Sequence, residues 1–310
     1  SLSYVQGLLK TAATRGDGEF GEDILDNVKT IKGIPERIDK ESTISYNLEN
    51  IEVRGEIYIS LNDFEILNKD QELKGNIPFA NPRNLAAGFI KMKDVNEVAK
   101  KPLSYFAYSL VSLDEKFYSQ VANLNILKKL GFKVNEFSRK CFDIEGVIKA
   151  CEELEGLRKT LPYQIDGAVI KVNYIKHQEI LGIRSKSPKW ACAFKFAPEQ
   201  AETILNKITW QVGRTGTITP VAELNPVFLA GSTIRRATLH NYDEIIRKEI
   251  KIGDTVVIEK GGDVIPKVVS VVLNKRPIDA ELITPPKECP ICKSPVMKQD
   301  DEVAYYCENP

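Results

Sequence analysis

The rhythm of apolar and polar positions changes several times along the chain, and each rhythm predicts an element. Residues 2–14 carry two apolar-rich arms around Gln6-Gly7, the pattern of a β-hairpin. Glu22 to Thr30 places Ile24, Leu25 and Val28 on one side of a short helix. Ile51 to Ile59 alternates and is rich in β-branched residues, which predicts a strand. Ser60, with Asp63 three residues on, then offers an N-cap for a helix through about Asn68. Between Cys141 and Arg158, the residues Ile144, Val147, Ile148, Cys151, Leu154 and Leu157 fall at helical spacing. Residues 163–173 and 189–196 read as strands joined by a short helix over 176–181. Strands and helices interspersed in this way predict an α+β unit with mixed sheets rather than a regular βαβ repeat.

After about residue 200 strand signals dominate: Ile208 to Val212, Thr255 to Ile258 and Val268 to Val272. Gly213, Gly216, Gly231, Gly253 and the pair Gly261-Gly262 separate them. Short strands with glycine turns suit a small Greek-key β-barrel of the OB-fold type. Pro285-Pro286 marks a linker to a last, cysteine-bearing segment. The expected boundaries are 1–199, 200–283 and 284–310.

The 310 residues allow two domains, and no apolar run approaches the roughly 18 residues of a membrane-spanning helix, so no membrane partner is expected. The chain begins at Ser1 inside an alternating pattern, so no secretory leader is expected among these residues, and it ends at Pro310 inside a cysteine pattern. A fragment cut at both ends is the expectation. Lys+Arg and Asp+Glu each number 43, which excludes a uniformly basic nucleic-acid coat but not a local basic surface. Residues 158–214 hold ten cations (Lys186 among them) against four acids, a charge of +6, and the remainder is −6. Such a stretch, with Trp190 and Trp210 and a following barrel, fits binding of a nucleic-acid backbone.

Of six cysteines, Cys141, Cys151 and Cys192 sit among apolar neighbours and read as small buried hydrophobes. Cys289, Cys292 and Cys307 form C-x2-C-x14-C, which reads as part of a structural zinc site short of a fourth ligand. A redox pair or a chance cluster are the alternatives, and either way the pattern suits a reducing compartment.

Five short motifs carry candidate chemistry. Thr14-Arg15-Gly16-Asp17-Gly18 is a glycine-rich turn bearing both charges. Val53-Arg54-Gly55-Glu56-Ile57 puts Arg54 and Glu56 on one face of a strand, where a solvated face would do the same. Phe79-Ala80-Asn81-Pro82-Arg83-Asn84 suggests a tightly packed helix start that holds Arg83. Asp166-Gly167-Ala168-Val169-Ile170-Lys171 ends an apolar strand in a lysine, and Trp190 to Phe196 sets Lys195 between two phenylalanines. A lysine amid apolar neighbours must meet an anion or shift its pKa. Two of them on neighbouring strands suit a phosphate pocket, although lysines snorkelling from strand edges would look alike.

In this order and spacing the motifs resemble bacterial NAD-dependent DNA ligase. So do Val212-Gly213-Arg214-Thr215-Gly216, Ala237-Thr238-Leu239-His240-Asn241, Gly262-Asp263-Val264-Ile265-Pro266 and the terminal cysteines. The resemblance covers essentially the whole chain. It implies an ATP-grasp-like nucleotidyltransferase (adenylation) domain, an OB barrel and a partial four-cysteine zinc finger. It also implies nick sealing in three steps: a lysine takes AMP from NAD, AMP passes to the 5′-phosphate, and the 3′-hydroxyl displaces AMP, assisted by Mg²⁺ or Mn²⁺. Carried over by motif, Arg15 and Glu56 resemble nucleotide-pocket residues, Tyr108 the aromatic that stacks on adenine, and Asp166 and Arg158 pocket-lining residues. Lys171 and Lys195 correspond to lysines that neutralise the transferring phosphate, and Arg83 to an arginine that engages the nick phosphates. Arg214 and Lys260 fall in barrel segments that meet DNA. Lys91 stands where the family usually has arginine, which weakens the case for bidentate phosphate contact there.

The family's nucleophilic lysine lies in a Lys-x-Asp-Gly motif shortly upstream of the position matching Ser1, and Lys10 lies outside that motif. The N-terminal domain that reads the nicotinamide half of NAD, the fourth zinc cysteine, and the helix-hairpin-helix and BRCT regions are likewise outside these residues. The resemblance thus implies a monomeric, cytoplasmic, nucleoid-associated enzyme of DNA replication and repair acting on nicked duplex DNA. These 310 residues are expected not to self-adenylate. An ATP-dependent ligase relative and an inactive DNA-binding module are the competing readings.

Overall fold

A tight hairpin opens the chain in the computed structural model, which describes residues 1–309 except 19, 40, 43–45, 47, 113–116, 185–186, 230–231, 262–264 and 299–301. Lys186, Gly231 and Gly262-Asp263-Val264, singled out above, lie outside the described residues. Two compact units divide the chain, Ser1–Phe196 and Ala197–Pro310.

In the first unit, β1 (Leu2–Val5) and β2 (Leu8–Ala12) turn through Gln6 (φ 49°) and Gly7 (φ 73°), the left-handed pair that a two-residue hairpin needs. With β3 (Asn50–Tyr58) and β4 (Ser104–Ser112) they form an antiparallel sheet of order β2-β1-β3-β4, leaving β4 at an edge. Leu2, Tyr4, Ile51, Val53, Tyr105, Ala107 and Leu110 are buried in the core of this unit. Helix α1 (Leu25–Lys29) supplies Val28 to the same core. Helix α2 (Leu61–Leu73) starts at the expected cap, where Ser60 Oγ accepts from the Asp63 amide at 3.1 Å. It outruns the expected end near Asn68 through a polar last turn in which Lys74 pairs with Asp70 at 2.6 Å, beyond the apolar periodicity. Helix α3 (Pro82–Ile90) packs on β3, and α4 (Val95–Ala99) follows it.

Helix α5 (Gln120–Lys129) covers β4. Helix α6 (Ile144–Leu157) packs on β5 (Gly167–Lys171), which pairs antiparallel with β6 (Ala191–Lys195) in a separate two-stranded sheet. Helix α7 (Ile175–Leu181) lies between these strands in sequence, as expected. Of the three cysteines read as core, only Cys151 is buried; Cys141 is half-buried and Cys192 exposed. For Cys192 the correction has a simple cause: among the described residues β5 and β6 form a ladder of only two strands, and residues 192–195 of β6 are exposed.

The second unit contains β7 (Gln200–Val212), β8 (Thr217–Leu229), β9 (Ser232–Thr238), α8 (Tyr242–Arg247), β10 (Thr255–Gly261) and β11 (Ile265–Val271). The order β8-β7-β10-β11-β9 closes because β9 pairs back onto β8, giving a five-stranded barrel of OB type. Pro226 falls in the register shift between Glu223 and Val227, the irregular place where a strand tolerates proline. Leu205, Ala222, Val256, Ile258 and Val268 fill the barrel. Two short strands, β12 (Val296–Met297) and β13 (Tyr305–Cys307), pair together and attach to β8 at Thr217 and Ile218. Among the described residues no helix is long and apolar enough to cross a membrane.

Candidate functional site

Strands β3 and β4 build one wall of the site. Ile51 and Val53 bury one face of β3, so period two turns Arg54 and Glu56 outward. Opposite them the register slips: Arg54 faces Ser109 and Gly55 faces Ala107, which leaves Tyr108 as the extra residue of a β-bulge. Gly55 is required here, because a Cβ would lie 2.1 Å from the Tyr105 ring and 2.3 Å from the Phe106 carbonyl oxygen. Tyr108 is 45% exposed. Burial pushes its phenol pKa up, the Glu56 carboxylate pushes the same way, and Arg54 and Arg15 pull it down. Together with Glu52, which also raises it, these side chains are its electrostatic neighbours. Arg15 is presented by a turn whose Gly16 has φ 52°, with the Glu22 amide donating to Thr14 Oγ1 at 3.0 Å.

Lys171, at the end of β5, completes this cluster. Its Nζ stands 5.1 Å from the centre of the Tyr108 ring and 3.5 Å from the Tyr108 carbonyl oxygen. Burial lowers its pKa from the ordinary lysine value.

Lys195 behaves differently. Its side chain is 64% exposed rather than sandwiched, and its Nζ donates to Asp166 Oδ2 at 2.5 Å. Arg83 reaches the same oxygen at 3.8 Å from the first turn of α3. That helix begins as its motif suggests, with Asn81 Oδ1 accepting from the Asn84 amide at 2.7 Å and Pro82 in the first turn. Arg158 lies with its guanidinium 6.0 Å from the centre of the Phe196 ring. The β5–β6 register pairs Gly167 with Lys195 and Lys171 with Ala191. Both lysines therefore share one face of the ladder, but their backbones stand four residues, roughly 13 Å, apart. They belong to two neighbouring clusters, one around Tyr108 and one around Asp166.

The other candidates are scattered. Lys91 caps the end of α3 and pairs with Glu22 at 2.8 Å. Arg214 is exposed in the turn between β7 and β8. Lys260 is only 5% exposed, and its Nζ donates to Ser232 Oγ at 2.6 Å, so it faces into its own unit and not toward a phosphate in solvent.

The three terminal cysteines do converge. Their sulfurs lie within 4.8 Å of one another, with Cys292 and Cys307 at 3.3 Å. A tight turn, in which the Lys293 amide donates to the Cys289 carbonyl at 3.0 Å, brings the first two together, and β13 brings the third. Hydrogen bonds, chiefly from Ser294, hold the Cys292 thiol well below the usual range, at about 6. Soft thiolates at this spacing fit one tetrahedral zinc ion, with Zn–S bonds of about 2.3 Å.

The resemblance singled out Tyr108, but no strand was expected over the residues that carry it. The cause is the bulge: buried positions on β4 run 105, 107 and 110, which breaks the period of two.

Comparison with known proteins bears on the same regions. Family models match at residues 1–199 (NAD-dependent DNA ligase adenylation domain), 202–280 (its OB-fold domain) and 288–310 (its C4 zinc finger domain). A DNA ligase of Chloroherpeton thalassium is 48% identical over 316 aligned residues, covering all of this chain. DNA ligases of Chlamydia caviae and Natranaerobius thermophilus are each 46% identical, again over the whole chain. The chain spans 46% of the length of each of these relatives. Matched across its adenylation, OB-fold and zinc-finger regions, the chain belongs to the NAD-dependent DNA ligase family.

Proposed function

We propose that these residues hold and transfer an adenylate taken from NAD, and bind the DNA that receives it, within a ligase that seals nicks in duplex DNA. The reaction joins a 3′-hydroxyl to a 5′-phosphate by way of ligase-AMP and DNA-adenylate. What carries the reading is the meeting of Lys171 and Tyr108, with Nζ 5.1 Å from the ring, beside Glu56, Arg54 and Arg15 in a region matched as adenylation domain. A flat aromatic face suits adenine, and an amine whose charge is disfavoured by burial gains most when an anion arrives. An entering phosphate raises the pKa of Lys171 back toward normal, and by linkage the same coupling tightens phosphate binding.

Around that pair we assign Arg15, Glu56 and Arg158 to the nucleotide, with Glu56 as the carboxylate that holds the ribose or a hard cation. Mg²⁺ or Mn²⁺, when bound, supplies Lewis-acid neutralisation of phosphate. Asp166 holds Lys195 and Arg83 in reserve: a phosphate can displace the carboxylate from two cations that are already gathered. Lys195 then faces the transferring phosphate and Arg83 the nick, while Lys91 and Arg214 contact the DNA backbone. Lys260 we assign to the interior of the second unit. Cys289, Cys292 and Cys307 hold a structural zinc ion. We set the domains at 1–199, 200–283 and 284–310, and place the ligase as a monomer in the bacterial cytoplasm, at the nucleoid, in DNA replication and repair.

No Lys-x-Asp-Gly occurs among these 310 residues, and we propose that they take up no AMP covalently by themselves. The test is twofold. The gene product carrying these residues is incubated with NAD, Mg²⁺ and a nicked duplex, and sealing is expected. Residues 1–310 alone are given labelled NAD, and no protein-bound AMP is expected. Failure to seal overturns the ligase reading; labelled protein from residues 1–310 overturns the second claim.

A further inference from the structure

Two short stretches that no motif covers, 118–121 and 173–175, tie the two sheets of residues 1–196 together. The Gln120 amide donates to the Asn173 carbonyl at 2.7 Å, and the Val121 amide donates to Asn173 Oδ1 at 3.2 Å. Ser119 and Tyr174 form a β-bridge, and the Ile175 amide donates to the Tyr118 carbonyl at 3.2 Å. From this knot the Gln120 side chain reaches back, its Nε2 donating to the Tyr108 carbonyl at 3.0 Å. That oxygen is the one facing Lys171 Nζ at 3.5 Å. Asn173 follows Lys171 by two residues, so the contacts close a ring: Tyr108, Gln120, Asn173, Lys171 and back to Tyr108.

Helix capping does not account for Gln120, because Ser119 already caps α5, its Oγ accepting from the Ala122 amide at 3.2 Å. The need lies elsewhere. Tyr108 is the unpaired residue of a bulge on an edge strand, and Lys171 ends a strand of a different sheet. Neither ladder sets one against the other. We infer that Gln120 and Asn173 are positioning residues for adenylate transfer: they lock the bulged Tyr108 to the end of β5 and so fix the Lys171 amine over the aromatic face. This role rests on the ligase reading for its purpose, but not for its geometry.

The experiment separates the two. In the gene product carrying these residues, Gln120→Met removes the donor at nearly the same length, and Gln120→His keeps a ring N–H at similar reach. The rate of Lys171 acylation by an N-hydroxysuccinimide ester is followed against pH by peptide mass, with exposed Lys29 as internal reference. In the parent the Lys171 midpoint is expected below the ordinary lysine value. In Gln120→Met it is expected to rise toward the ordinary lysine value of about 10.4 as the amine escapes to water, and to return in Gln120→His. AMP uptake from NAD is expected to fall about tenfold in Gln120→Met, and less than about twofold further when Lys171→Met is already present. An unchanged Lys171 midpoint, or losses that simply multiply, overturns the inference. A parent that takes no AMP overturns the ligase reading instead, while the acylation profile still decides the role of Gln120.

Discussion

Residues 1–196 and 197–309 use β-structure in opposite ways. The first unit leaves its sheets open, and its candidate groups sit where ladders end or slip: Tyr108 in a bulge, Lys171 and Lys195 at strand ends, Arg83 in the first turn of a helix. The second unit closes its sheet into a barrel and turns charges inward. Asp254, fully buried, accepts from Arg276 at 2.7 and 3.0 Å, and Lys260 donates to Ser232. A closed ladder satisfies its own backbone and gives up edges, whereas an open one leaves carbonyls and side chains that a ligand can use. The difference teaches that a charge at the open end of a ladder stays within reach of a ligand, whereas one turned into the closed barrel is taken up by its own unit.

Breaking the barrel side of this contrast is expected to give the largest effect. Arg276→Met leaves the buried Asp254 carboxylate with the Lys251 amide but without its counter-charge, and urea unfolding of the second unit is expected to show a loss of about 3 kcal/mol. A change below about 1 kcal/mol would mean that the barrel does not depend on its inner charges. On the open side, Lys171→Met is expected to cut AMP uptake by the gene product about 100-fold or more with unfolding unaltered, measured with labelled NAD. Lys195→Met, with an exposed amine already on Asp166, is expected to cost less than Lys171→Met. Equal losses would erase the distinction between the two clusters. Gly55→Ala probes the bulge itself. Its Cβ meets the Tyr105 ring and the Phe106 carbonyl, and a loss of about 1–3 kcal/mol is expected by urea unfolding of the first unit.

The smallest effect concerns pH. Hydrogen bonds from Gln200 and then Lys267 hold the buried Glu259 carboxyl below its ordinary range. A depressed folded pKa stabilises above the unfolded value of about 4.3, and that contribution is lost as pH falls through the lower folded value. The urea midpoint of the second unit is therefore expected to drop between about pH 5 and 3, and to drop less in Glu259→Gln.

Much of this was legible in the chain. The first hairpin followed from Gln6-Gly7, the cap of α2 from Ser60 and Asp63, the start of α3 from Asn81-Pro82, and the barrel from glycine-punctuated strands. Strand β4 was not legible, because its bulge breaks the alternation, and neither was the exposure of Cys192, which depends on β6 having a single partner. The lysines mark the same limit. Both stand among apolar neighbours in sequence, yet one is half-buried against a ring and the other stands in solvent on a carboxylate.

Local chemistry is thus what the sequence by itself determined: turn residues, caps, the cysteine spacing and the identity of the charged groups all act within a few positions of one another. Tertiary structure alone decided which groups meet. The approach of Lys171 to Tyr108 spans two sheets and 63 positions of chain, and it is set by a bulge and by Gln120 rather than by any local preference. Burial of Lys260 was decided in the same way, since a lysine carries no sign of whether its strand will face solvent or close into a barrel.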